Sequence, residues 1–272
     1  QENQALQQHP SAKMADATTR TEAQQPGHVM TFPMDATNPG GVVIKDGNSL
    51  ISLENGQVSG LGPLSEDLAR PVAAALQSSR VAVPSLADLH GKRGQLMGGG
   101  DNDQPTFSLK SPVATIVEDT RPQFSWARLD GALNYTVSIA GVGFSALITS
   151  PPIKNTSWRP LKPLLRGRTY YWQVRAALSN GHEISTPAPP LPDAKFKVLS
   201  EFEESKIQEA RNLSPVSHLV LGVIYAQAGL VGRARAEFQE LVHDNPGSRV
   251  AKSLLGSTDR PGRSRVRNYA SE

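Results

Sequence analysis

The chain has no cysteine, so no disulfide can brace it, no thiolate can act as a nucleophile, and no Cys-ligated zinc or iron site can form. Aromatic residues make up only 6% and hydrophobic residues 38% of its 272 positions, little for one large core of that length. No apolar run approaches the ~18 residues of a helical membrane span. The formal charge of +3 is too small to call for a nucleic-acid partner, and none is expected. What the chain has in quantity is connector. Its 23 Gly and 21 Pro, with a Gln-rich start, point to small units joined by turns and linkers. A lack of cysteine fits an exported bacterial chain, and a start at Gln1 rather than Met fits loss of an upstream signal or membrane segment. The expected location is therefore extracytoplasmic, in the periplasm or at the cell surface.

Residues 1–38 are polar, rich in Gln, Thr and Ala, and broken by Pro. Such a stretch buries too little apolar surface to offset its ordering entropy, so it reads as a disordered tether. From Val42 the texture changes. "VVIK", "LISL" and "QVSG" are separated by "DGNS" and "ENG", and Asp-Gly and Asn-Gly are strong hairpin signals because their turns need positive φ. A three-strand meander follows. "LSEDLARPVAAALQSSR" then predicts a helix capped by Ser65, with Pro71 starting or kinking it. Together these make a small α+β unit over 39–100, marginal by itself and expected to pack on a neighbour. Gly98 to Gly100 and "DNDQP" read as a linker.

Residues 105–199 alternate with period two. Tyr135, Val137 and Ile139 share one face of a strand, and Tyr170, Trp172, Val174 and Ala176 share one face of another. Short alternating segments divided by Pro/Gly-rich turns about every ten residues predict an antiparallel sandwich of about seven strands. Trp126 on an early strand, the "Y-x-V-x-I" strand, Leu161, Pro163 and Gly167, and the "Y-x-W-x-V-x-A" strand follow the order of the fibronectin type III family, which this segment resembles. The resemblance implies an immunoglobulin-like architecture and little about function, since that fold hosts adhesion, scaffolding and sugar binding alike.

At Ser200 the period becomes helical. Ser200 and Glu203 form a capping box, and Ser214-Pro215 marks a second helix start. Leu221, Gly222, Tyr225, Ala234, Phe238 and Pro246 stand at the spacings of the tetratricopeptide repeat, which residues 200–256 resemble in a single copy; His218 and Leu241 depart from its pattern. "SRVAKSLLG" predicts a closing helix with Gly256 as its cap. Residues 257–272 read as a disordered basic tail carrying Arg260, Arg263, Arg265 and Arg267. At ~1 kcal/mol per basic residue the tail alone supplies only weak contact with an anionic surface. The fold class expected is multi-domain, mainly β with an α-helical end.

No motif places a metal, a nucleophile or an acid–base pair. The six histidines have no metal spacing, "GKRGQLMGGGDND" lacks the Lys-Ser/Thr end of a phosphate loop, and no serine sits in G-x-S-x-G. No cofactor and no enzyme are expected. Two sets of residues remain as candidate contacts. Val216, Leu219, Val223 and Ala226 form a second apolar stripe beside the stripe that joins the helical hairpin; it is covered either by this chain or by a protein partner, and the expectation is a docking face for a protein partner. Trp158 with Arg159 is the other set, a candidate ligand contact, whereas Trp126 and Trp172 take inward positions. The order of units resembles bacterial envelope proteins that pair such a sandwich with one terminal repeat. That resemblance implies a non-enzymatic interaction or scaffold protein, an accessory subunit of an envelope or surface complex. Two alternatives are the sensing half of a membrane-bound anti-sigma-like regulator and a carbohydrate-binding module.

Overall fold

The computed structural model describes residues 42–90, 107–188 and 193–259. The tether, the glycine-rich linker and the four tail arginines lie outside the described residues. The chain is β-rich with a helical part, and the described residues gather into two hydrophobic cores.

Strands β1 (Val42–Asp46), β2 (Ser49–Glu54) and β3 (Gln57–Ser59) form the expected antiparallel meander. Asn55 and Gly56 take φ of 50° and 80° in the second turn, as an Asn-Gly hairpin requires. Ile44, Ile51 and Leu53 point to the core, while Val43 and Leu50 stay exposed on the other face. Helix α1 (Glu66–Ser78) buries Leu68, Val72, Ala75 and Leu76, one stripe at helical spacing, and continues through Pro71. Ser65 stands at its N-cap without a side-chain cap bond.

The sandwich contributes nine strands among the described residues. They are β4 (Leu109–Ser111), β5 (Thr115–Val117), β6 (Phe124–Trp126), β7 (Ala132–Gly141), β8 (Phe144–Thr149), β9 (Ser157–Trp158), β10 (Thr169–Leu178), β11 (Glu183–Thr186) and β12 (Ala194–Val198). One sheet runs β4-β6-β9; the other runs β5-β12-β10-β7-β8, with β11 also on β10. The excess over seven comes from two interruptions. β4 and β5 divide the first stretch between the two sheets, and a proline-rich stretch separates β11 from β12 along the same edge of β10. Both sheets fill one core. Phe124 meets Trp172 edge-on at 4.9 Å and Phe196 at 5.5 Å, and Trp126 meets Tyr135 at 5.6 Å. Trp172 Nε1 donates to the Pro112 carbonyl at 2.7 Å, whereas the buried Trp126 Nε1 has no partner among the described residues.

Helices α2 (Glu201–Arg211), α3 (His218–Gln227), α4 (Val231–Asp244) and α5 (Arg249–Ser257) complete the described chain. The capping box at Ser200 and Glu203 is present, with the Glu203 amide donating to Ser200 Oγ at 3.2 Å and the Ser200 amide to Glu203 Oε2 at 2.8 Å. Two expected ends move. Ser217, not Ser214-Pro215, caps α3, and α5 runs through Gly256 to close at Thr258. Gly222 is where α3 meets α4: a Cβ there would lie 2.5 Å from the Phe238 ring, so only a glycine allows this approach.

The units expected at 39–100 and 200–256 are not separate bodies. Ile44, Ile51, Leu68, Val72 and Leu76 share a single core with Leu219, Val223, Phe238, Leu241 and Leu254. The neighbour that the small unit needs is the helical segment, reached across the whole sandwich.

Candidate binding groove and its supporting junctions

The β1–β2 turn is the pivot of this combined region. Asp46 is 3% exposed, and its carboxylate accepts from Ser217 Oγ at 2.5 Å and from the His218 and Leu219 amides at 3.0 and 3.1 Å. A carboxylate set against the first amides of α3 satisfies donors that a helix start leaves open and favours the positive end of its dipole. The same turn is tied to the end of α4. The Lys45 amide donates to Asn245 Oδ1 at 2.8 Å, Asn245 Nδ2 donates to the Lys45 carbonyl at 2.5 Å, and the Gly47 amide donates to Asp244 Oδ2 at 2.9 Å. Asp46 therefore has a second task beyond starting the hairpin turn. The spacing of "DGNS" could not show it, because the partner stands 171 residues away.

Next to this pivot, residues 60–63 and 212–217 enclose an open groove of about 220 Å³, with Asp46 and Ser49 also on its wall. Gly60 shapes that wall: at φ of 86° it passes the Leu50 carbonyl so closely that a Cβ would sit 1.8 Å from its oxygen. Val216, 52% exposed, lines the groove with Pro215, Leu213 and Pro63.

Val216 is the one member of the predicted stripe that reaches solvent. Leu219, Val223 and Ala226 are each 0% exposed, which corrects the expectation that they face a separate partner. Helices α1, α2 and α4 pack on α3 and cover its apolar surface. His218, beside the groove, bonds Glu237 Oε2 through Nδ1 at 2.8 Å. Burial lowers its basicity, but the Glu237 bond and the charges of Asp46, Glu237 and Glu240 outweigh this and raise the imidazole above its ordinary pKa.

Trp158 and Arg159 lie elsewhere, in β9 and just after it. Trp158 is half-buried, packs against the sandwich core and sits 6.0 Å from Phe124, so part of its ring acts as core filling. Arg159 Nη1 pairs with Asp119 Oδ2 at 3.0 Å on the surface.

A second junction joins sandwich to helices, and no motif pointed to it. Glu118, directly after β5, receives Arg211 Nη1 and Nη2 at 2.7 and 3.0 Å and Arg233 Nη1 at 2.5 Å. Arg166 Nη1 donates to the Glu118 carbonyl at 3.1 Å, and Arg211 Nε donates to Tyr225 Oη at 2.9 Å. The Arg211 hydrogen bonds, with the charges of Arg233 and Arg166, hold the Glu118 carboxyl below its ordinary pKa against the opposing effect of burial. Gly229 adds close packing, since a Cβ there would stand 2.6 Å from Ile116 of the sandwich.

Among the described residues no group of three or more His, Cys, Asp or Glu side chains could hold a metal ion, and no helix is long and apolar enough to cross a membrane. The fold and junctions define a β-rich chain in which a two-sheet sandwich is fastened to a mixed sheet-and-helix region. No protein-family model matches the chain, and no curated protein matches it. Among solved structures, the crystal structure of CopC from Methylosinus trichosporium OB3b shares 16% identity, covers 35% of this chain and 96% of its own, and has a TM-score of 0.26. That overlap is too loose to carry function from one chain to the other.

Proposed function

We propose that this chain is a non-enzymatic extracytoplasmic interaction protein, an accessory subunit of an envelope or surface complex, that presents the groove at Val216 to a short extended segment of a protein partner. The observation that carries the reading is the groove itself: apolar side chains at Val216, Pro215 and Pro63 are bordered by Ser49, Asn212 and Ser214, which can bond a partner's backbone. Its walls come from distant parts of the chain and are fixed by the Asp46 and Asn245 bonds, so it is preformed. The Glu118 junction makes sandwich and helices suited to act as one rigid mount.

Within this reading the sandwich is fibronectin type III-like. The Leu165 amide donates to Tyr170 Oη at 2.8 Å, a tyrosine corner of the kind found in such sandwiches. The α3–α4 hairpin is tetratricopeptide-like, supported by the tight Gly222–Phe238 contact. A lone hairpin of this type has a neighbour to replace, and here the β1–β3 sheet with α1 takes that place.

A photo-crosslinking residue at position 216 in the native cell tests the proposal. The expected result is one recurrent adduct that is competed away by the unlabelled chain and persists when Val216→Glu is the competitor. Adducts no more specific than those from a crosslinker at exposed Leu50 would refute it.

A further inference from the structure

The chain between β9 and β10 reads "RPLKPLLRGR" over residues 159–168, with four cations and no acid in ten positions. This loop is firmly held. Leu164 is buried and its amide donates to the Thr120 carbonyl at 2.8 Å, the Leu165 amide donates to Tyr170 Oη at 2.8 Å, and the Gly167 amide reaches the Val198 and Leu199 carbonyls at 3.0 and 3.1 Å. Yet Leu161 is 90% and Leu165 62% exposed. Leu161 lies between Pro160 and Pro163, whose rings restrict the backbone on both sides of it. Lys162, Arg168 and the neighbouring Arg121 are exposed around the leucines, while Arg159 is paired with Asp119 and Arg166 with Glu204.

We infer that this loop is a docking surface for an anionic lipid membrane. Leucines held out on a pre-ordered loop gain by entering the acyl boundary and lose little conformational freedom in doing so. The cations around them match the negative potential of anionic headgroups. Charge complementarity and the exposure of both leucines together favour a lipid surface over a protein groove, and the inference stands apart from the groove at Val216.

Sedimentation of the full chain with vesicles tests it, using phosphatidylcholine alone and phosphatidylcholine mixed with phosphatidylglycerol. The chain should bind the anionic vesicles and release them at high salt. Leu161→Ser with Leu165→Ser should weaken binding about tenfold, and Lys162→Glu with Arg168→Glu by at least as much, with melting temperatures unchanged because all four side chains are exposed. Absence of binding overturns the inference. So does binding that survives both loop variants and disappears only when the four tail arginines become alanine. Equal binding of the double-serine variant and the unaltered chain also overturns it, since charge alone would then be acting.

Discussion

The sandwich core draws on one stretch, from Phe107 to Val198, whereas the neighbouring core takes Ile44 to Leu89 from before the sandwich and Leu199 to Leu254 from after it, with Ile116 of β5 as the sandwich's own contribution. The first is built from alternating strands that all find their partners within that one stretch. The second closes only when two segments meet around an inserted domain, so its contacts need the sandwich to bring their ends together. The His90–Ala194 bridge and the Leu199 amide bond to the Val117 carbonyl at 2.9 Å mark where the sandwich does this. Contiguous cores can form alone, while a divided core depends on both pieces and on the geometry of what lies between.

Deleting residues 42–90 should break this comparison most severely. It uncovers Leu219, Val223 and Ala226, and at ~1.5 to 3 kcal/mol for each large aliphatic side chain the loss approaches the ~5 to 15 kcal/mol that holds a domain. Far-UV circular dichroism should show loss of α3 to α5 while the near-UV tryptophan signal of the sandwich persists. Retained helicity would mean that the helices form a core without the sheet.

Trp126→Ala attacks the other core. Trp126 is 1% exposed, so the change should cost about 3 to 5 kcal/mol, read as a lower melting transition of the sandwich. Trp126→Phe should cost less, because the indole N–H it removes has no partner. An unchanged melting temperature for the alanine variant would show that this ring does not hold the two sheets together.

Asp46→Ala is a smaller, more pointed test of the divided core. It strips the Ser217 hydroxyl and two amides of their acceptor, for about 2 to 4 kcal/mol by chemical denaturation, whereas Asp46→Asn keeps one oxygen and should cost less. Equal effects of the two would show that charge rather than hydrogen bonding matters at this helix start.

Glu118→Gln should have the smallest effect, about 1 kcal/mol, because Arg233 is half exposed and solvent screens part of the pairing. Its sign with pH is defined. A carboxyl whose folded pKa lies below the ordinary 4.5 stabilises the fold above that value, and this contribution is lost as pH falls through the lower folded pKa. Melting curves from neutral to acid pH should therefore converge for the unaltered chain and the variant. Curves that stay parallel would show that the Glu118 charge does not couple sandwich and helices.

Much of the local structure was legible. The burial of Tyr135, Val137 and Ile139, the capping box at Ser200, the Asn55-Gly56 turn and the inward Trp126 and Trp172 all follow from spacing within a few residues. The candidate site was legible only in part. The apolar positions of α3 were visible, but not that neighbouring helices cover Leu219, Val223 and Ala226, nor that Val216 precedes the helix and is left at a groove. Ser214-Pro215 misled because a proline suits a first turn wherever a helix starts, and the Ser217 cap, with Asp46 behind it, decided the start instead.

Periodicity, turn chemistry and capping act between neighbours along the chain, so the order of strands and helices was already written in residue spacing. The joining of Asp46 to Ser217 and of Glu118 to Arg211, and the choice of what covers Leu219, were decided by folding alone. Those pairs stand 171 and 93 residues apart, and at such separations a carboxylate carries no local pattern that names its partner: only the packing that excludes water around it does.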